Sequence, residues 1–171
     1  PTPIGEIASD PATRHTVTRF LAEGGLGKVY VAQDDELQRA VVMKTLKEAE
    51  GENSEARYRF VQEAQVNSQL EHPNIVPIYQ AGRGADGQPY YTMKYVRGQE
   101  YRDLIQGYHQ NRREGNVDAL ELRRLLTLFI STCQAVSYAH NRGVVHRDLK
   151  PENVAVGEFG ELMVLDLSLI H

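Results

Sequence analysis

The chain has 171 residues, 41% hydrophobic and 25% charged, with a formal net charge of -4. That length can bury a real core, and the composition is that of an ordinary globular protein. The mildly acidic balance offers no basic field, which argues against nucleic acid or an anionic membrane surface as a partner.

Pro1, in place of Met, reads as a cut or processed N-terminus, and residues 1–14 read as a linker. From Thr16 the apolar and β-branched residues alternate through Val17–Leu21 and again through Lys28–Ala32, with Gly24-Gly25-Leu26-Gly27 between them. This pattern predicts a hairpin. Asp34-Asp35-Glu36 reads as a polar turn, and Ala40–Lys44 as a third strand. Helical periodicity covers Ser54–Leu70, with Phe60, Val61, Ala64 and Leu70 toward one side, and His72-Pro73-Asn74 ends it. Ile75–Tyr79 and Tyr90–Val96 read as two further strands, separated by a Gly84–Gly87 turn. A short helix follows at Tyr101–Gln110, then a polar loop to Asn116.

Asp118 and Glu121 have capping-box spacing at the start of a long amphipathic helix that runs to about Asn141. Its predicted apolar face holds Leu122, Leu125, Leu126, Phe129, Ile130, Cys133 and Val136. Cys133, the one cysteine, is read there as core packing. It cannot form an internal disulfide, which fits a reducing, cytoplasmic compartment. The apolar run is broken at Thr127 and is too short to span a bilayer, so no membrane segment is expected in this chain. Short strands at Val154–Val156 and Leu162–Leu167 close the pattern. Five strands enclosing one helix, followed by mostly helical sequence, predict an α+β fold of two lobes.

The densest chemistry lies in His146-Arg147-Asp148-Leu149-Lys150-Pro151-Glu152-Asn153. A carboxylate can accept a hydroxyl proton, a nearby lysine can hold phosphate charge, and an amide can ligate a metal. Upstream, Glu23–Val29 can cradle phosphates with backbone N–H groups, or form only a hairpin turn. Lys44 by itself reads as a snorkelling edge lysine, and Glu100 as a solvated glutamate. His140, His146 and His171 lack a zinc-like spacing.

Taken in order, from about Thr16 to the C-terminus, these motifs resemble the eukaryotic-type protein kinase fold, particularly bacterial Ser/Thr kinases. The resemblance implies a five-stranded antiparallel N-lobe sheet with one helix over residues 15–93, a hinge at 94–97, and the first helical part of a C-lobe over 98–171. It implies ATP and Mg²⁺ as cofactors and Ser or Thr of a protein as the phosphoryl acceptor. Gly24 and Gly27 match the second and third loop glycines, Ala22 replaces the first, and Val29 follows. Lys44 matches the lysine on the α- and β-phosphates, with Glu63 as its ion-pair partner. Met93 matches the residue at the rear of the pocket, with Lys94 and Val96 at the adenine edge and Glu100 at the ribose.

Within the loop, Asp148 matches the catalytic base, Lys150 the γ-phosphate contact, Asn153 the second Mg²⁺ ligand, and Asp166 the first. His146 is read as a structural histidine under the loop.

Departures from the family pattern are equally specific. Asp166-Leu167-Ser168 stands for Asp-Phe-Gly, and Asn67 is polar where a hydrophobic residue is common. Val42 stands where the family has Ala above the adenine, and Ala155 where a larger residue lies below it, so the two exchange size. The sequence ends at His171 before any Ala-Pro-Glu motif, which predicts an incomplete domain and an apolar helix face open to self-association. On that reading, these residues by themselves bind nucleotide weakly and do not phosphorylate protein. A pseudokinase-like nucleotide- or partner-binding module is the first alternative, and a small-molecule phosphotransferase of the same fold the second.

Overall fold

A computed structural model describes residues 14–47, 53–116 and 118–165. The expected linker, apart from Arg14, lies outside the described residues, as do Asp166, Leu167 and Ser168. The fold is α+β and forms two units, Pro1–Ser68 with Pro77–Tyr95, and Gln69–Val76 with Val96–His171.

In the first unit, β1 (His15–Glu23), β2 (Gly27–Asp34), β3 (Arg39–Leu46), β4 (Ile78–Arg83) and β5 (Pro89–Lys94) form a five-stranded antiparallel sheet in the order β1-β2-β3-β5-β4. Helix α1 (Ser54–Asn67) stands between β3 and β4 in the chain. Asn53 caps it by accepting the N–H groups of Glu55 and Ala56 at 3.1 Å each.

Strand β3 is buried on both faces, and its alternation sorts two environments. Val41 and Met43 join Ala32 and Tyr90 in an apolar cluster. Val42 and Lys44 take the opposite face, where their β5 partners are Met93 and Tyr91. Helix α1 meets that second face through Glu63 and Phe60.

Several expectations are corrected here. Val61 is exposed, because α1 buries Ala56, Phe60, Glu63, Ala64 and Asn67 instead, a stripe turned away from Val61. The expected turn at Asp34 begins one residue later: Asp34 ends β2, only 2% exposed. It accepts Arg14 Nε and Nη2 at 3.0 and 2.9 Å and the Leu37 N–H at 3.1 Å. Burial opposes ionisation of Asp34, but the bonds from Arg14 and Leu37 outweigh it and hold its pKa below the ordinary value. The strand expected at Ile75–Tyr79 runs instead from Ile78 to Arg83. Ile75 and Val76 are buried in the second unit, Ile75 in a parallel bridge with Val164.

The second unit holds β6 (Gly98–Glu100), α2 (Tyr101–Arg113), α3 (Ala119–Asn141), a 3-10 turn (Pro151–Asn153), β7 (Val154–Gly157) and β8 (Leu162–Val164). Its three-stranded sheet has the order β6-β7-β8. Strand β6 gives almost no sequence signal, being short and polar. Gly98 is required there because a Cβ would stand 2.0 Å from the Val156 carbonyl oxygen.

Asp118 caps α3 through the Leu120 N–H at 2.8 Å, while Glu121 turns toward Asn111 rather than completing a capping box. The buried stripe of α3 is Leu125, Leu128, Thr132, Ala135 and Ala139. Leu122, Leu126, Phe129 and Ile130 are exposed, and so is Cys133, contrary to its reading as core. The apolar residues encircle this part of the helix, so their spacing alone could not fix which side faces inward. Tyr101 fastens α2 to α3 by donating its buried hydroxyl to the Leu125 carbonyl at 2.8 Å. Among the described residues no helix is long and apolar enough to cross a membrane.

Candidate active site

The glycine segment links β1 to β2, and the Gly24 N–H donates to the Gly27 carbonyl at 2.9 Å. Ala22 pairs with Val29 across the hairpin, and Val29 pairs with Lys44 on β3. Gly27 is constrained from behind, since a Cβ would lie 2.7 Å from the Thr45 carbonyl oxygen. The structure therefore gives Gly27 a packing reason independent of any ligand.

Two strands and one helix converge on Glu63. Lys44 Nζ lies 2.7 Å from Glu63 Oε1, and both residues are buried. The Tyr91 hydroxyl donates to the same oxygen at 2.5 Å. The rings of Tyr91 and Phe60 pack with centroids 5.3 Å apart, which walls the pair with carbon. Removing one partner of such a pair leaves a buried charge uncompensated, a loss of about 3–5 kcal/mol. Sequence spacing identifies Lys44 and Glu63 only through the family resemblance. Tyr91 carried no signal of its own, because an aromatic residue in a strand reads as core.

Of the remaining first-unit candidates, Val42 and Met93 are buried cross-strand neighbours. Lys94 is half-buried at the end of β5 and donates its N–H to the Pro77 carbonyl at 3.1 Å.

In the second unit, Glu100 pairs with Ala155 in the β6–β7 ladder, and Val96 is half-buried just before it. Glu100 is held by Arg102 at 2.8 Å, and Arg102 also reaches Asp103 and Glu152. Glu100 is therefore ion-paired while its side chain stays 44% exposed.

The loop after α3 begins with Gly143, whose φ of +75 lets the helix turn off. His146, 2% exposed, donates Nε2–H to the Leu165 carbonyl at 2.8 Å and anchors the loop from below. The Asp148 N–H returns to the His146 carbonyl at 2.8 Å across Arg147, which takes a φ of +64. That left-handed conformation is costly for a non-glycine residue and persists where the surroundings over-determine it.

Beyond the turn the side chains close on one another. Lys150 Nζ donates to Asp148 Oδ2 at 2.7 Å, and Asn153 Nδ2 donates to the Asp148 carbonyl at 2.8 Å and to Oδ2 at 3.2 Å. The Asn153 carbonyl accepts the Leu165 N–H at 2.9 Å, which pins the loop to the end of β8. The hydrogen bond from Lys150 comes first among the causes that hold the Asp148 pKa below the ordinary value; slight burial opposes it and Asn153 assists. The Asp148 side chain remains 65% exposed, so its carboxylate is both ionised and accessible.

Residues 15–170 match the protein kinase domain family. The Ser/Thr-protein kinase PknD of Protochlamydia amoebophila is 38% identical over 158 residues, which make up 91% of this chain and 16% of that protein. PknD of Chlamydia trachomatis serovar D is 36% identical over 156 residues, 90% of this chain and 16% of that one. The chain thus spans only 16% of the length of these curated relatives. The crystal structure of the Mycobacterium tuberculosis PknI kinase domain aligns with a TM-score of 0.67 at 28% identity, covering 93% of this chain and 61% of that one. The chain belongs to the protein kinase domain family.

Proposed function

We propose that the whole protein carrying this chain is a Ser/Thr protein kinase that transfers the γ-phosphoryl group of ATP to a protein hydroxyl. The family's chemistry uses ATP and typically Mg²⁺. The observation that carries the reading is the buried Lys44–Glu63 pair at 2.7 Å. A buried ion pair is a poor device for stability, and apolar residues of the same volume would serve at least as well. Its retention argues for a positioned cation on the sheet, one that meets phosphate charge.

In this scheme the first unit binds. The segment Ala22, Gly24, Gly27 and Val29 covers the phosphates, Lys44 neutralises them, and Val42 and Met93 enclose the adenine. Lys94 of the first unit and Val96 of the second meet its edge. Glu100, Ala155 and the loop also belong to the second unit. Asp148 orients the substrate hydroxyl. Because its pKa is held low, it is a weak base, and it takes the proton only once bonding to phosphorus has made the hydroxyl acidic. The new oxygen–phosphorus bond forms on the substrate, the bond to the β-phosphate oxygen breaks, and ADP leaves. Lys150 shares its protons between Asp148 and the transferred group.

The donor set suits a hard cation. Asn153 directs its Nδ2 to Asp148, which leaves Oδ1 as its ligand atom. Asn153 and Asp166 would hold Mg²⁺, whose contribution is to neutralise phosphate charge.

Calorimetric titration with Mg·ATP tests the binding half. Lys44→Met is expected to lower affinity by more than about 10-fold, the scale of one charge-assisted contact to phosphate. Equal affinity in a folded variant would contradict the assignment of Lys44.

A further inference from the structure

The Tyr91 hydroxyl is the unexplained member of the buried cluster. Glu63 Oε1 receives two donors, Lys44 Nζ at 2.7 Å from β3 and Tyr91 Oη at 2.5 Å from β5. Lys44 and Tyr91 are themselves cross-strand partners. Lys44 Nζ also stands 5.8 Å from the centroid of the Tyr91 ring, so the tyrosine is hydrogen-bonded to one member of the ion pair and within cation–π range of the other. Tyr91 is 1% exposed and its ring packs on Phe60 of α1. A phenylalanine would give the same packing. The hydroxyl needs a separate reason, because burying it without a partner costs free energy.

We propose that Tyr91 is a positioning residue for Lys44: its hydroxyl holds the Glu63 carboxylate in register with β3 and β5, so that Lys44 stays aimed at a nucleotide phosphate. The proposal rests on the nucleotide-binding reading of Lys44. The physical logic concerns what happens when phosphate arrives. Lys44 has three protons and must divide its attraction between Glu63 and the incoming anion. A carboxylate held by lysine alone would be partly released at that moment, and α1 with it. The second donor keeps Glu63 satisfied and in place, because a charge-assisted hydrogen bond in a buried site has no water to replace it. Tyr91 would therefore act through Glu63 and never touch the substrate.

Two double-variant cycles around Tyr91→Phe, which deletes one oxygen and keeps the ring, test this. The first reads chemical denaturation and needs no nucleotide. Tyr91→Phe should raise the unfolding constant about 10-fold with Glu63 present, and less than about 3-fold in the Glu63→Ala background. The second reads Mg·ATP affinity by calorimetry. Tyr91→Phe should weaken binding about 10-fold in the wild type and leave Lys44→Met unchanged, since no positioned cation remains to be disturbed.

A ring that merely fills space would show no loss in either background, and a hydroxyl acting independently of Glu63 and Lys44 would show equal losses in both; either result overturns the proposal in either cycle. If the Glu63→Ala variant does not fold, the Lys44→Met cycle decides by itself. A wild-type protein that binds no Mg·ATP would overturn the nucleotide reading and the positioning role with it. The denaturation cycle would still report whether the hydroxyl and Glu63 are coupled, which separates the two failures.

Discussion

Asp148 shows how a single residue is prepared by its neighbours. The turn at Arg147 aims its backbone, Lys150 and Asn153 fix its carboxylate, and His146 anchors the base of the loop. Its folded pKa is depressed, so the ionised form contributes stability above the unfolded value, and that contribution is lost as pH falls through the folded value. In the proposed mechanism the same sign would govern activity, because a protonated Asp148 could not accept the substrate proton. Lys150→Ala removes the first cause of the depression and should move the acid limb of the kcat/KM profile upward, toward the ordinary aspartate value of about 4. A pH–rate profile measured on both proteins checks this. An acid limb that stays in place would show that another group sets it.

Among the elements, the β1–β2 hairpin separates a glycine required by packing from one that is not. Gly27 faces the Thr45 carbonyl oxygen, so Gly27→Ala should destabilise by about 1–3 kcal/mol, the usual cost of overpacking against backbone. At Gly25 an added Cβ meets nothing within 4 Å, and Gly25→Ala should stay within about 0.5 kcal/mol. Thermal unfolding of the two variants reads the contrast, and equal losses would mean that the strand relaxes around residue 27.

The elements also show what was legible in the sequence. Alternation located β1 and β2, while β3 and β5 read as short, largely apolar or aromatic runs, the pattern of strands buried on both faces. It failed at β4, where Pro77 separates Ile75 and Val76, which pack in the second unit, from the strand proper. Helix α3 was legible in extent but not in phase, since Leu122, Leu126, Phe129 and Ile130 compete with Leu125 and Leu128 for the same apolar signal. Asp34 and Tyr91 were missed for a common reason. Burial of a polar group depends on a partner far away in the chain, Arg14 for one and Glu63 for the other, and no local pattern records it.

For the whole molecule, the proposed adenine contacts are best tested by coupling. Val42 of the first unit and Ala155 of the second are proposed to flank the adenine with exchanged sizes. Mg·ATP affinities of Val42→Ala, Ala155→Leu and the double variant should then be non-additive by more than about 0.5 kcal/mol. Additive effects would mean that the two residues do not share a ligand.

The central claim is phosphoryl transfer with Asp148 orienting the acceptor. It is tested most directly by following the γ-phosphoryl group of ATP into Ser or Thr of a protein substrate, with the whole protein and its Asp148→Asn variant side by side. The account predicts transfer by the wild type and a loss of about 10²–10⁴-fold in kcat for the variant, with Mg·ATP binding retained. A wild type that binds Mg·ATP yet transfers nothing to either hydroxyl, or an Asp148→Asn variant of undiminished rate, would contradict it.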